Sequence, residues 1–105
     1  MDEPVALRIY GPRFSKWLDA HDDRRAVAII RARLNRIRLG NFGDSKPVGG
    51  GVEELRIDFG PGYRIYFGRD GESVVILLCG GSKRTQSKDI ATARALWKDY
   101  LDGKD

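Results

Sequence analysis

Cysteine and histidine are almost missing from this chain of 105 residues, each occurring once. A single cysteine, Cys79, excludes an intramolecular disulfide, and a single histidine, His21, leaves no cluster with zinc-ligand spacing. Cys79 closes an apolar run and reads as a small buried hydrophobe rather than a reactive thiol. No apolar stretch is long enough to span a bilayer, and the N-terminus lacks the charged, apolar and small-residue progression of a signal peptide. Internal repeats and low-complexity segments are absent too. The glycine–lysine spacing of a nucleotide P-loop does not occur. These absences lead to the expectation of one domain over residues 1–105, cytoplasmic, with no membrane association, no metal and no cofactor.

What is present is charge. Lys+Arg number 19 against Asp+Glu 15, a net +4, which leans toward an anionic partner. Hydrophobic content of 41% is ordinary for a globular domain.

The most informative stretch runs from Glu53 to Gln86. Leu55, Ile57 and Phe59 alternate with Glu54, Arg56 and Asp58, the period-2 pattern of a half-buried strand. After Gly60-Pro61-Gly62 the alternation resumes with Tyr63, Ile65 and Phe67 on one face and Arg64 and Tyr66 on the other. Matching apolar faces pairs Phe59 with Tyr63, Ile57 with Ile65 and Leu55 with Phe67 across a three-residue loop. That register sets Arg56 diagonally from Arg64, with Tyr66 near both. Two like charges on neighbouring strands cost up to about 1 kcal/mol, and an anion between them reverses the sign. The competing reading is that Glu54 and Asp58 neutralise both arginines on a solvated face. Asp70-Gly71 suits a two-residue hairpin turn, and Val74 to Cys79 reads as a strand covered on both faces. Gly80-Gly81-Ser82-Lys83-Arg84 reads as a basic loop able to wrap an anion.

Elsewhere, Val5 to Tyr10 reads as a strand, broken by Gly11-Pro12. Phe14, Trp17, Leu18 and His21 lie at helical spacing, with His21 as a capping or surface residue. Asp22-Asp23 open a second helix with an apolar stripe of Val27, Ile30, Leu34 and Ile37, ended near Gly40. Its arginines form either a solvated face or a phosphate-tracking surface. Residues 41–51, which carry Lys46, read as a glycine-rich loop. Ser87 caps a last helix to about Leu101. Val75, Leu77 and Cys79 are expected on the face of Arg64, where they need a cover. The order β-α-α-β-β-β-α predicts an α+β domain, its antiparallel-rich curved sheet carrying the two N-terminal helices on one face, together with a C-terminal helix.

With these segments in view, the chain resembles the RelE/ParE superfamily of toxins from type II toxin–antitoxin modules, and within it the HigB-like addiction module killer proteins. The resemblance rests on GNFGD-x-KPVG, the ELRI…GPGYRIYF hairpin and LLCGG-x-K…Q-x-KDI, in that order and spacing. It implies a small RelE-like fold and a ribosome-dependent mRNA endonuclease. In that reading Arg56, Arg64, Lys83 and Arg84 carry the chemistry. It also implies a cognate helix-turn-helix antitoxin, a toxin–antitoxin hetero-oligomer, and the ribosome and mRNA as partners. Ser82 departs from the aspartate usual in this group. Two alternatives stay open: a ParE-like non-enzymatic inhibitor of DNA gyrase, and a degenerate toxin that only binds its antitoxin.

Metal-free RNA cleavage uses the neighbouring 2′-OH as nucleophile and leaves a 2′,3′-cyclic phosphate. Arg56 and Arg64 suit the developing phosphorane charge. Lys83 is a candidate proton shuttle, Tyr66 a stacking group or acid, Tyr63 a lesser donor, and Glu54 or Asp58 a base. Lys46, Arg56, Arg64 and Arg84 are the candidate RNA contacts.

Overall fold

The computed structural model describes residues 3–104. A five-stranded sheet in the order β1-β5-β4-β3-β2 lies between two helical layers. The strands are β1 (Ala6–Ile9), β2 (Ser45–Gly49), β3 (Val52–Ile57), β4 (Tyr63–Asp70) and β5 (Val74–Ser82). The helices are α1 (Arg13–Asp19), α2 (Arg24–Arg38) and α3 (Gln86–Asp102), with a 3₁₀ turn at Lys83–Thr85. All neighbouring strands are antiparallel except β1, which runs parallel to β5. The α+β class is therefore as the sequence pattern predicts. Among the described residues, no helix is long and apolar enough to cross a membrane.

Period-2 alternation sorts the sheet into two faces. Leu55, Ile57, Ile65 and Phe67 pack with Phe14, Leu18, Ile30, Leu34 and Ile37 beneath α1 and α2. On the other face, Val52, Tyr66, Ile76 and Leu78 meet Ala93 and Trp97 of α3. Asp23 caps α2, its carboxylate accepting from the Arg25 and Ala26 amides.

Several expectations are corrected. Residues 45–49 are not loop but the edge strand β2. Pro47 is compatible there because an edge strand need not donate from every residue. Gly49, Gly50 and Gly51, at φ 93, 63 and 84°, turn the chain into β3. The β3–β4 register pairs Leu55 with Ile65 and Ile57 with Tyr63, so Arg56 lies directly opposite Arg64 rather than diagonal to it. The reason is local. Phe59 N–H donates to the Ile57 carbonyl and Gly62 N–H to the Phe59 carbonyl, at 3.0 and 3.1 Å, winding residues 58–62 into consecutive tight turns. A two-residue shift keeps every side chain on its expected face.

The β4–β5 turn spans residues 71–73, longer than the two-residue loop expected, with Asp70 opposite Val74. Val75 and Leu77 belong to the α1/α2 face and only Cys79 lies on that of Arg64. The three-residue turn sets Val75 opposite Arg69 and Leu77 opposite Phe67, on the α1/α2 face. A bulge at Leu78, between the pairs Tyr66–Cys79 and Phe67–Leu77, returns Cys79 to the face of Arg64. Val75 and Leu77 are thus covered by α1 and α2, and Cys79, with Ile76 and Leu78, by α3. That helix begins at Gln86 after a capping box joining Ser82 and Thr85, so Ser87 is not its cap.

Candidate functional site

Where α3 stops, the sheet becomes polar. On the α3 face one cross-strand row holds Lys46, Glu54, Tyr66 and Cys79, and the next holds Arg56, Arg64 and Gly81. Gln86, the first residue of α3, reaches Glu54, which leaves the arginine row beyond the helix end. There a hollow of about 380 Å³ opens, lined by Asp44, Arg56, Asp58, residues 60–62, Arg64 and Lys83. Lys83 is placed by its own backbone: its N–H donates to the Gly62 carbonyl at 2.8 Å, tying the 3₁₀ turn to the hairpin loop.

The two arginines differ in setting. Arg56 is half exposed and gives Nε and Nη2 to Asp44 Oδ1, at 3.2 and 3.0 Å. An exposed pair of this kind is worth about 0–1 kcal/mol, so an incoming anion can displace it. Arg33, from α2, donates to the Arg56 carbonyl at 3.0 Å and pins the strand beneath. Burial, then repulsion from Arg36, pull the Arg33 guanidinium below its ordinary range.

Arg64 is mostly buried. Its Nε lies 3.8 Å from Glu54 Oε1, and both atoms are buried without a hydrogen-bond partner. Glu54 itself is 0% exposed. Its Oε2 accepts from the Tyr66 hydroxyl at 3.0 Å and from Gln86 Nε2 at 2.8 Å. Burial first, and the bond to Glu54 second, push the Tyr66 hydroxyl far above its ordinary range, so it acts as a fixed donor.

Among the residues singled out in the sequence, Arg56, Arg64, Lys83 and Asp58 therefore meet at one hollow. Arg84 is exposed on the same 3₁₀ turn but does not line it. Lys46 is exposed on edge strand β2, beside Glu54 in register and outside the lining. Tyr66 is fully buried beneath α3, not on an open face. Glu54 is buried with it, which removes it as an exposed base. Tyr63 lies on the opposite face, its ring 5.1 Å from that of His21. His21 Nδ1 sits 2.8 Å from the Trp17 carbonyl, so it donates there as a local cap.

The Gly80-Gly81 stretch is also corrected. Both residues belong to β5 and their role is clearance. A Cβ at Gly80 would lie 2.3 Å from the Trp17 ring, and one at Gly81 1.8 Å from Asp89 Oδ2. Nor are the following amides open to an anion, since Ser82 N–H donates to Thr85 Oγ1 and Lys83 N–H to Gly62. Cys79 is buried, its thiol pushed up to about 12 chiefly by burial, as expected of a packing residue.

Asp44 and Gln86 escaped the sequence reading. Asp44 stands in the stretch taken as loop, and its only signal was the acid in GNFGD. Gln86 stood out only as a polar residue after the basic turn.

An uncharacterized protein of Haemophilus influenzae is 52% identical to this chain over 83 residues, 79% of this chain and 84% of that protein. Residues 16–98, which hold every side chain at the hollow, match the family described as Phage derived protein Gp49-like. The chain belongs to this phage-derived Gp49-like family.

Proposed function

We propose that this protein is the toxin of a toxin–antitoxin module, of the RelE/ParE type, and that its hollow holds an RNA phosphodiester for cleavage. The observation that carries the reading is the convergence of Arg56, Arg64 and Lys83 on one open hollow. A guanidinium pair in direct register can grip phosphate oxygens bidentately. The resemblance to HigB-like toxins supplies the context.

In the proposed reaction the ribose 2′-oxygen attacks phosphorus, the P–O2′ bond forms and the P–O5′ bond breaks. The products are a 2′,3′-cyclic phosphate and a 5′-hydroxyl. Arg56 and Arg64 offset the phosphorane charge, with Asp44 giving up Arg56 as phosphate enters. Asp58, on the exposed wall, takes the 2′-OH proton, and Lys83 returns one to the leaving 5′-oxygen. Arg84 and Lys46 fit as flanking backbone contacts outside the hollow. Tyr66 serves as a positioning residue through Glu54 and does not touch the phosphate. The wall is open and its acid–base set spare, which suits a message oriented by the ribosome in a translating cell. A cognate antitoxin completes the module.

The test is induction of the protein in growing cells with mapping of mRNA 5′ ends inside translated frames. Cuts are expected, and Arg64→Ala should reduce them about a hundredfold or more while the fold and antitoxin binding persist. A second reading, target binding without cleavage as in gyrase inhibition or a degenerate toxin, draws on the carboxylates already facing both arginines. It would be favoured by altered plasmid supercoiling, or by antitoxin binding alone, without cuts.

A further inference from the structure

A second concavity lies between α2 on one side and β1 with α1 on the other. Its volume is about 570 Å³. The floor is apolar, formed by Leu7, Ile9, Phe14, Leu18, Leu34 and Leu77. Ile9 stands 50% exposed at its edge, on a strand that ends the sheet. Alongside Arg31 and Arg38, the α2 wall presents Ala28, Ala32 and Asn35, all exposed. On a helix these positions fall on one face at i, i+4 and i+7. Small residues there allow another helix to come close.

The charge around this groove has one sign. Its lining contains Arg31 and Arg38 and no carboxylate. Among the described residues neither arginine makes an ion pair or a side-chain hydrogen bond. Arg24, exposed on α2, extends the row. Arg24, Arg31 and Arg38 are spaced by seven, so they repeat on one side of α2 about every 10.5 Å. Carboxylates repeating at the flanks of a second helix have the same spacing, as at the e and g positions of paired helices.

We infer that this groove is the docking site for an acidic amphipathic helix of a second protein. Its apolar stripe would lie on the floor and its carboxylates along Arg24, Arg31 and Arg38. The inference names the surface and chemistry of a partner in the proposed module, but it rests on the groove and not on the hollow.

A display library tests it, built of helices with a fixed leucine stripe and randomised flanks and selected against the full chain. Selected flanks are expected to be enriched in Asp and Glu. Ala32→Arg, which fills an exposed part of the wall, should weaken the selected helices at least about tenfold. Reselection on Arg31→Glu with Arg38→Glu should turn the flanks to Lys and Arg. Flanks without an acidic bias, binding indifferent to Ala32→Arg, or no selected helices would overturn the inference. So would a dimer of this chain that Ala32→Arg dissociates, or short single-stranded RNA whose binding is lost in the charge-reversed variant. Binding of that RNA to Arg64→Ala, measured in parallel, reports on the hollow separately.

Discussion

Tyr66→Phe separates a positioning role from a chemical one. The substitution removes one oxygen from a side chain that is fully buried and leaves the ring packing in place. The lost bond, 3.0 Å from Tyr66 Oη to Glu54 Oε2, is made to a carboxylate. Such bonds are worth about 1.5–3 kcal/mol. Gln86 still donates to the same oxygen at 2.8 Å, so Glu54 is not orphaned and the lower half of that range is expected. For a domain of this size the midpoint of thermal unfolding should fall on the order of 10 °C. Thermal circular dichroism measures this directly. Glu54→Gln keeps an acceptor but removes the charge facing Arg64, and combining the two substitutions should give a coupling of about 0.5–3 kcal/mol. RNA affinity should change far less for Tyr66→Phe than for Arg64→Ala. The reasoning is refuted if Tyr66→Phe unfolds at the wild-type temperature while cleavage collapses, because the hydroxyl would then act at the reacting phosphate.

Asp44→Ala frees Arg56 at the hollow and should strengthen binding of short RNA severalfold, with a stability change within about 1 kcal/mol; weaker binding in fluorescence anisotropy would show that Asp44 helps hold the ligand. Stability should fall with rising alkalinity, because the Cys79 thiol is raised from 9.0 to about 12. The folded state then keeps a proton that the unfolded chain releases, and the contribution present below pH 9.0 is lost toward about 12, with Tyr66 adding in the same direction from 10.0 upward. Cys79→Ala should flatten the first part of that decline in chemical denaturation followed against pH, and an unchanged slope would contradict the assignment. Gly80→Ala drives a Cβ to within 2.3 Å of the Trp17 ring and should destabilise by about 1–3 kcal/mol, read as a lower urea midpoint.

Legibility in the sequence followed the range of the forces involved. Alternation in Glu53–Phe67 and the stripe Ile30, Leu34 and Ile37 were visible because they repeat within a few residues of chain. So was the pairing of an Arg56 strand with an Arg64 strand. Edge strand β2 was hidden, since glycine and proline erase propensity and its hydrogen bonds come from β3. The bulge at Leu78 was hidden as well. One extra residue in an unbroken apolar run leaves no mark on composition, yet it decides which face Cys79 takes. Gly80 and Gly81 looked like an anion-wrapping loop because glycine serves both backbone freedom and close packing. Trp17 and Asp89, both distant in sequence, select the second use.

By itself the chain's order of residues determined the class of fold, the two faces of the β3–β4 hairpin and the basic residues offered to an anion. These follow from periodicity and charge, which are local. Only the tertiary structure decided that α3 ends one row short of the arginines, that Glu54 and Tyr66 are sealed beneath it, and that Lys83 faces the hollow while Arg84 does not. Burial and register arise from contacts between segments far apart in the chain, and no spacing along it encodes them.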